Sequence, residues 1–202
     1  MKKKIAIITT VPMNVHVFML SLIEELIKEY EVVIITNNDE EYGLEQFLPF
    51  NVKVVNVNFR REFALMADIV SFIELIKILY KENFSLAYSL SPKSGLLGMM
   101  ASWIIRIPNR VHIFTGQFWV NKSFFVKGLY ILLDKAMVLF STFILVDSFS
   151  QREFLIKKNI LSKKKSTVLG SGSINGVNLN RFHPNYASRL SFRKSINVSN
   201  ET

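Results

Sequence analysis

The feature that most limits how this chain can fold is an alternation. Short runs rich in β-branched residues recur along it, and between consecutive runs lie longer stretches with helical spacing. The runs are Lys4 to Thr10, Glu31 to Thr36, Val52 to Val57, Leu86 to Leu90, Val111 to Phe114, Thr142 to Val146 and Thr167 to Leu169. Between the first two, Met19, Leu22, Ile23, Leu26 and Ile27 recur at the spacing of one helix face, with Glu24, Glu25, Lys28 and Glu29 outside it. Further helices are predicted from Phe63 to Glu82, from Ser94 to Arg106 and from Phe124 to Phe140. Pro108 stops the second of these. Ser150 and Glu153 make a capping-box pattern for a last helix ending near Asn159. Strands alternating with helices in this way require crossover connections. The expected class is α/β, a doubly wound and mostly parallel sheet.

A chain of 202 residues can bury a full core, and one domain is the default. Half of the residues are hydrophobic and the mean hydropathy is +0.26, which argues against disorder. There is no cysteine, so disulfides and thiolate metal sites are excluded. Three separated histidines, His16, His112 and His183, offer no metal-ligand pattern. The opening run ends at Thr9 and Thr10, too early for the apolar region of an export signal. Nowhere do the ~18–20 uninterrupted apolar residues of a membrane span occur. After Pro184 the sequence turns polar and loses its period, as a linker would. The expected organisation is a domain over 1–184, with 185–202 as the start of an interdomain linker.

Charge divides the chain. Residues 1–90 hold 9 Lys/Arg and 12 Asp/Glu, whereas residues 91–202 hold 16 and 4. The second part is where an anionic partner should dock: a lipid phosphate, a nucleoside diphosphate or a nucleic acid. Nucleic acid is not expected as a partner, because no DNA- or RNA-binding module accompanies the charge.

In an open parallel sheet, ligands bind beyond the carboxyl ends of the strands. Four stretches fall there. The first, Thr9 to His16, feeds a helix N-terminus suited to phosphate or a hydroxyl, with Thr10, Pro12 and Asn14 as candidates. It reads equally as an ordinary turn capped by Asn14. In Ser91-Pro92-Lys93-Ser94-Gly95, Lys93 supplies a point charge and Ser94 a helix cap, although the spacing is not that of a phosphate-cradling loop. In His112-Ile113-Phe114-Thr115-Gly116-Gln117, alternation puts His112 and Phe114 on one face. Gly116 permits a sharp turn, and Thr115 and Gln117 can hydrogen-bond a sugar. The last stretch, Gly170-Ser171-Gly172-Ser173-Ile174-Asn175-Gly176, follows the final strand. It is not a dinucleotide fingerprint, which would open the first helix. That also counts against a nicotinamide-dependent oxidoreductase.

Together, Thr-Thr-Val-Pro at 9–12, Ser-Pro-Lys-Ser-Gly at 91–95, His-Ile-Phe-Thr-Gly-Gln at 112–117 and Leu169 to Asn178 resemble a subgroup of family-4 glycosyltransferases of the GT-B fold. These are bacterial enzymes that build capsule and lipopolysaccharide sugars. The resemblance covers nearly the whole chain but only the first, acceptor-side half of such an enzyme. It implies a Rossmann-like N-terminal domain, with the second, donor-holding domain absent and the chain inactive alone. It also implies retaining transfer from a nucleotide diphosphate sugar, as co-substrate, to a saccharide acceptor on a lipid diphosphate, with neither metal nor cofactor. The site residues it implies are Thr10, Pro12, Asn14, Lys93, Ser94, His112, Thr115, Gly116, Gln117, Ser171, Gly172, Ser173, Asn175 and Gly176. The glycine pair common in the family's first loop is missing here. The mixture of aromatics and lysines from Phe118 to Tyr130 fits a surface resting on anionic headgroups. A cytoplasmic location, peripheral at the inner face of the cell membrane, follows from that reading. The rival from another class is a non-catalytic acceptor-binding or membrane-tethering subunit that works with a separate donor-binding protein.

Overall fold

A computed structural model describes residues 2–38, 43–49, 51–60, 62, 64–177, 179–180 and 182–199. Two of the sequence expectations, the helix start at Phe63 and Asn178 in the last loop, lie outside these residues.

The sheet is wholly parallel, in the order β3-β2-β1-β4-β5-β6-β7. Its strands are β1 (Lys4–Thr9), β2 (Glu31–Thr36), β3 (Lys53–Asn56), β4 (Leu86–Leu90), β5 (Asn109–Phe114), β6 (Phe143–Val146) and β7 (Ser166–Thr167). The order reverses between β1 and β4, whose registers pair Ile5 with Leu86 and Thr9 with Leu90. This is the doubly wound arrangement that the alternation predicts.

Period-2 alternation divides the core into two layers. Ile5, Ile7, Val32 and Ile34 point to one face. There they pack against Val15 of helix α1 (Pro12–Phe18) and Ile23 of α2 (Leu20–Glu29). Ala6, Ile8, Val33 and Ile35 point to the other, under α3 (Leu65–Glu82), α4 (Pro92–Ile104), α5 (Phe124–Phe140) and α6 (Phe149–Lys157). The single helix expected after β1 is two helices, broken at Met19.

Other boundaries move for local reasons. α4 begins at Pro92, since proline suits the first helical position and Ser91 precedes it as N-cap. Ser94 is therefore inside the first turn and does not cap. α6 is capped two residues earlier than expected: Ser148 Oγ accepts from Gln151 N at 3.2 Å, so the helix signal is Ser148 and Gln151, not Ser150 and Glu153. α1 is capped by Val11 without a side-chain bond, so Asn14 is not its cap. Residues after Pro184 are not featureless: α7 (Tyr186–Ser195) forms there, capped by Asn185, and none of its residues is buried.

Candidate functional site

Because every strand runs the same way, the loops that follow them meet at one edge. The loops after β4 and β5 line a small cleft that is open to solvent. Ser91, His112, Thr115, Gly116, Gln117 and Trp119 are among its lining residues, with Asp134 of α5 at its base.

Ser91 is the strained member. It has φ 92° and ψ 144°, a conformation that non-glycine residues rarely adopt. Two hydroxyls and a backbone N–H hold it in place. Its Oγ lies 3.1 Å from Thr10 Oγ1 and 2.9 Å from Ser94 Oγ, and it accepts from Thr10 N at 3.2 Å. Ser94 Oγ in turn donates to the Leu90 carbonyl at 3.0 Å. Thr10, Ser91 and Ser94 thus tie the end of β1 to the end of β4. Pro12 and Asn14 lie beside them in α1, both half-buried.

Lys93 takes a different place from the one its charge suggests. Its side chain is 8% exposed, and its ammonium pairs with Asp68 of α3 at 2.8 Å and donates to the Glu62 carbonyl. It braces α4 against α3 below the cleft. His112 is likewise enclosed, at 2% exposure, with Nδ1 2.8 Å from Ser89 Oγ. Burial pushes its pKa down to about 3, so the ring is neutral. It fits beneath α4 because Gly95 has no side chain: a Cβ there would come within 2.6 Å of His112 and of Met137.

Thr115 and Gly116 are exposed at the rim, and Gly116 has φ 134°. Gln117 Oε1 accepts from Gln151 Nε2 at 3.1 Å, and Gln151 Oε1 accepts from Asp147 N at 3.0 Å. This amide relay joins the ends of β5 and β6. It leaves Gln117 Nε2 and Asp147 Oδ1 buried without partners among the described residues. Trp119, expected with the surface aromatics, is instead 1% exposed. Its Nε1 donates to Asp134 Oδ2 at 2.7 Å, and its ring stacks on Phe154. Burial pushes the Asp134 carboxyl up to about 6, against the lowering effect of the indole bond.

The glycine-serine turn stands at the same edge, beside the cleft and outside its lining. Ser173 N donates to the Asp147 carbonyl at 2.7 Å, and Asn175 Nδ2 reaches Val17 O on α1 at 3.0 Å. Gly172 has φ 100°, and a Cβ there would meet the Asp147 carbonyl at 2.7 Å, so this position requires glycine. Ser171 and Gly176 are exposed.

Sequence reasoning overlooked Ser91, Asp134, Asp147 and Gln151 as site residues. Ser91 lay inside a quoted motif, and Ser148-Phe-Ser-Gln151 was visible as a capping pattern one step out of register. Nothing in the sequence marked Asp134. Among the described residues, no group of three or more His, Asp or Glu could hold a metal ion. No helix among them is long and apolar enough to cross a membrane.

With this geometry in hand, likeness to known proteins becomes informative. No protein-family model matches the chain. It is 32% identical over 127 residues to the capsular polysaccharide biosynthesis glycosyltransferase CapM of Staphylococcus aureus, which covers 62% of this chain and 33% of that protein. It is 30% identical over 186 residues to the Escherichia coli UDP-Gal:alpha-D-GlcNAc-diphosphoundecaprenol alpha-1,3-galactosyltransferase, covering 91% of this chain and 47% of that one. Among solved structures it superposes on Anabaena Alr3699/HepE in complex with UDP and glucose, with TM-score 0.65 and 13% identity. That match covers 97% of this chain and 50% of HepE. A UDP-N-acetylglucosamine 2-epimerase from Rickettsia bellii gives TM-score 0.66 at 13% identity, over 98% of this chain and 52% of the epimerase. The chain is a doubly wound domain of the GT-B type. Its sequence relatives are glycosyltransferases of capsular and lipid-linked polysaccharide synthesis, and it spans about half their length or less.

Proposed function

We propose that this chain supplies the acceptor-side wall of a retaining family-4 glycosyltransferase for surface polysaccharide, capsule or O-antigen. In this reading residues 1–184 are the N-terminal domain and 185–202 begin the link to a donor-binding domain. A nucleotide diphosphate sugar is the donor, and a saccharide on a lipid diphosphate is the acceptor. The bond from the sugar C1 to the diphosphate breaks, a bond from C1 to the acceptor oxygen forms, and the acceptor hydroxyl's proton passes to the departing diphosphate. Stabilising the departing diphosphate is the largest electrostatic demand, and the groups for it belong to the donor-binding domain. Residues 1–202 alone therefore bind acceptor without turnover. The protein works in the cytoplasm at the membrane surface.

The observation that carries this reading is the cleft between the β4 and β5 loops, walled by Thr115, Gly116 and Gln117, in a chain similar in sequence to sugar transferases. The exposed Thr115 hydroxyl and the spare Gln117 amide suit a polyol. Lys93 and His112 act from beneath, holding the loops that Thr10 and Ser94 join, and the turn from Ser171 to Gly176 edges the site.

The test is calorimetric binding of a GlcNAc-diphosphate carrying a short alkyl chain. The expected result is saturable binding that Gln117→Ala weakens about tenfold, equivalent to about 1.4 kcal/mol. Absence of binding, or binding untouched by both Thr115→Ala and Gln117→Ala, removes the reading. The half-length match also favours a second one, the non-catalytic acceptor-binding or tethering subunit. Mixing the chain with a separately expressed donor-binding domain decides between them. Restored transfer from the covalently joined form alone favours the two-domain enzyme.

A further inference from the structure

Between the ends of β5 and β6, two side-chain amides hold one another in a fixed sense. The sense is set at the backbone N–H of Asp147, which can only donate. It donates to the Phe114 carbonyl at 3.2 Å and to Gln151 Oε1 at 3.0 Å. The end of the Gln151 amide facing it is therefore the oxygen, and the NH2 end donates onward to Gln117 at 3.1 Å. Gln117 has to meet that NH2 with its own oxygen. What remains is Gln117 Nε2, buried and without a partner among the described residues, on a side chain that lines the cleft. The donor character of one N–H at the end of β6 is thus handed through two amides to the cleft wall at the end of β5. Both fixed points are firm. The Asp147 carbonyl also accepts from Ser173 N at 2.7 Å, and the backbone N–H of Gln151 donates to the helix cap Ser148 Oγ at 3.2 Å.

We propose that Gln151 is a positioning residue that sets the polarity of the cleft. It fixes Gln117 as a donor, so the ligand group seated against Gln117 is an oxygen that accepts, as a sugar hydroxyl does. If the relay served only to join two strand ends, its last NH2 could face water at no cost. Instead that group is buried, where an unmet donor is costly. A ligand oxygen relieves the cost on binding, whereas a group that only donates meets Gln117 hydrogen to hydrogen.

This inference deepens the reading above and rests on it for the ligand; its first measurement contains no saccharide, so each can fail without the other. Gln151→Glu keeps the shape of the side chain, and glutamate suits the third position of a capped helix as well as glutamine does. Above the carboxylate range its oxygens only accept. One takes the Asp147 N–H, and the other calls for Gln117 Nε2, so the Gln117 amide turns over and shows its oxygen to the cleft. In the ligand-free, isotope-labelled chain, the Gln117 NH2 resonances, identified by their loss in Gln117→Ala, are expected to move downfield in Gln151→Glu. Calorimetry then compares the GlcNAc-diphosphate probe with analogues in which one sugar hydroxyl at a time is replaced by fluorine, which accepts but cannot donate. At the hydroxyl that meets Gln117, the ratio of hydroxyl to fluorine affinity is expected to rise about tenfold over the parent in Gln151→Glu. A merely structural role would weaken all the compounds together and leave that ratio alone. Ser150→Glu, which puts the same charge one residue away, should leave resonances and ratio at parent values. The proposal is overturned if the Gln117 resonances stay in place in Gln151→Glu, if no fluorine analogue shows the rise, or if Ser150→Glu reproduces either effect. If no compound binds the parent, the sugar reading falls and the resonances alone decide the relay.

Discussion

The two edges of the sheet are built to different standards. At the edge where the strands begin, Glu82 closes the end of α3 onto Lys4 and Lys53, and Lys4 also pairs with Glu31 at 3.1 Å. Lys4, Lys53, Glu31 and Glu82 thus each meet an opposite charge there. Asn83, Arg106 and Asn159 end helices at this first edge in the left-handed helical region, with φ 53°, 62° and 54°. At the edge where the strands end, by contrast, Ser91 reaches φ 92° with ψ 144°, and Gln117 Nε2 and Asp147 Oδ1 are buried unpaired among the described residues. Orphaned polar atoms and rare backbone geometry each cost stability, and they persist where the surroundings enforce them. Both edges carry loops of one chain under one set of packing rules. The difference lies in satisfaction: at one edge the polar groups are paired by charge, and at the other a rigid frame holds two of them without partners.

The comparison breaks most easily at the Asp68–Lys93 pair, which lies under the cleft. Asp68→Ala strands a nearly buried ammonium and should cost about 3–5 kcal/mol, read as a shift in the urea midpoint. Next comes Asp134. Its carboxyl is raised in the folded state, so its ionisation opposes folding: stability falls as pH climbs from its ordinary range through about 6. Asp134→Asn should therefore gain on the parent between pH 4 and pH 7 by up to about 3 kcal/mol, seen by denaturant titration at each pH. Ser91 gives a smaller effect. Glycine and alanine both remove its hydroxyl, but only glycine accepts φ 92° without strain. Ser91→Gly should exceed Ser91→Ala in stability by about 1–3 kcal/mol, against roughly a few tenths to 1 at the ordinary cap Ser148.

The smallest change is expected at the opposite edge. Hydrogen bonds from Lys4 and Lys53 hold Glu82 down to about 2. Its contribution is present above the usual carboxylate range and is lost as pH falls from there through about 2, opposite in sign to Asp134. Glu82→Gln should lower stability slightly at neutral pH and flatten that acid limb, since Lys4 and Lys53 both remain partly exposed to solvent screening. A larger loss there than at Asp68 would erase the contrast between the edges.

Much of this molecule was legible in its residues. β-branched runs separated by helical periods specify crossovers, so the parallel sheet and the edge where its loops gather follow from local pattern. Gly116 and Gly172 announced turns because only glycine enters such geometry freely. What tertiary structure alone decided was the fate of individual polar groups. Lys93 was expected to face a ligand; it faces Asp68, 25 residues earlier in the chain. Trp119 was expected among surface aromatics; it is the buried partner of Asp134, 15 residues later. Ser91 became strained because the hydroxyls of Thr10, just past β1, and Ser94, in α4, converge on it. Periodicity is a property of neighbours along the chain and can be read there. A partner is chosen by packing, through contacts between segments whose distance in space the sequence does not state.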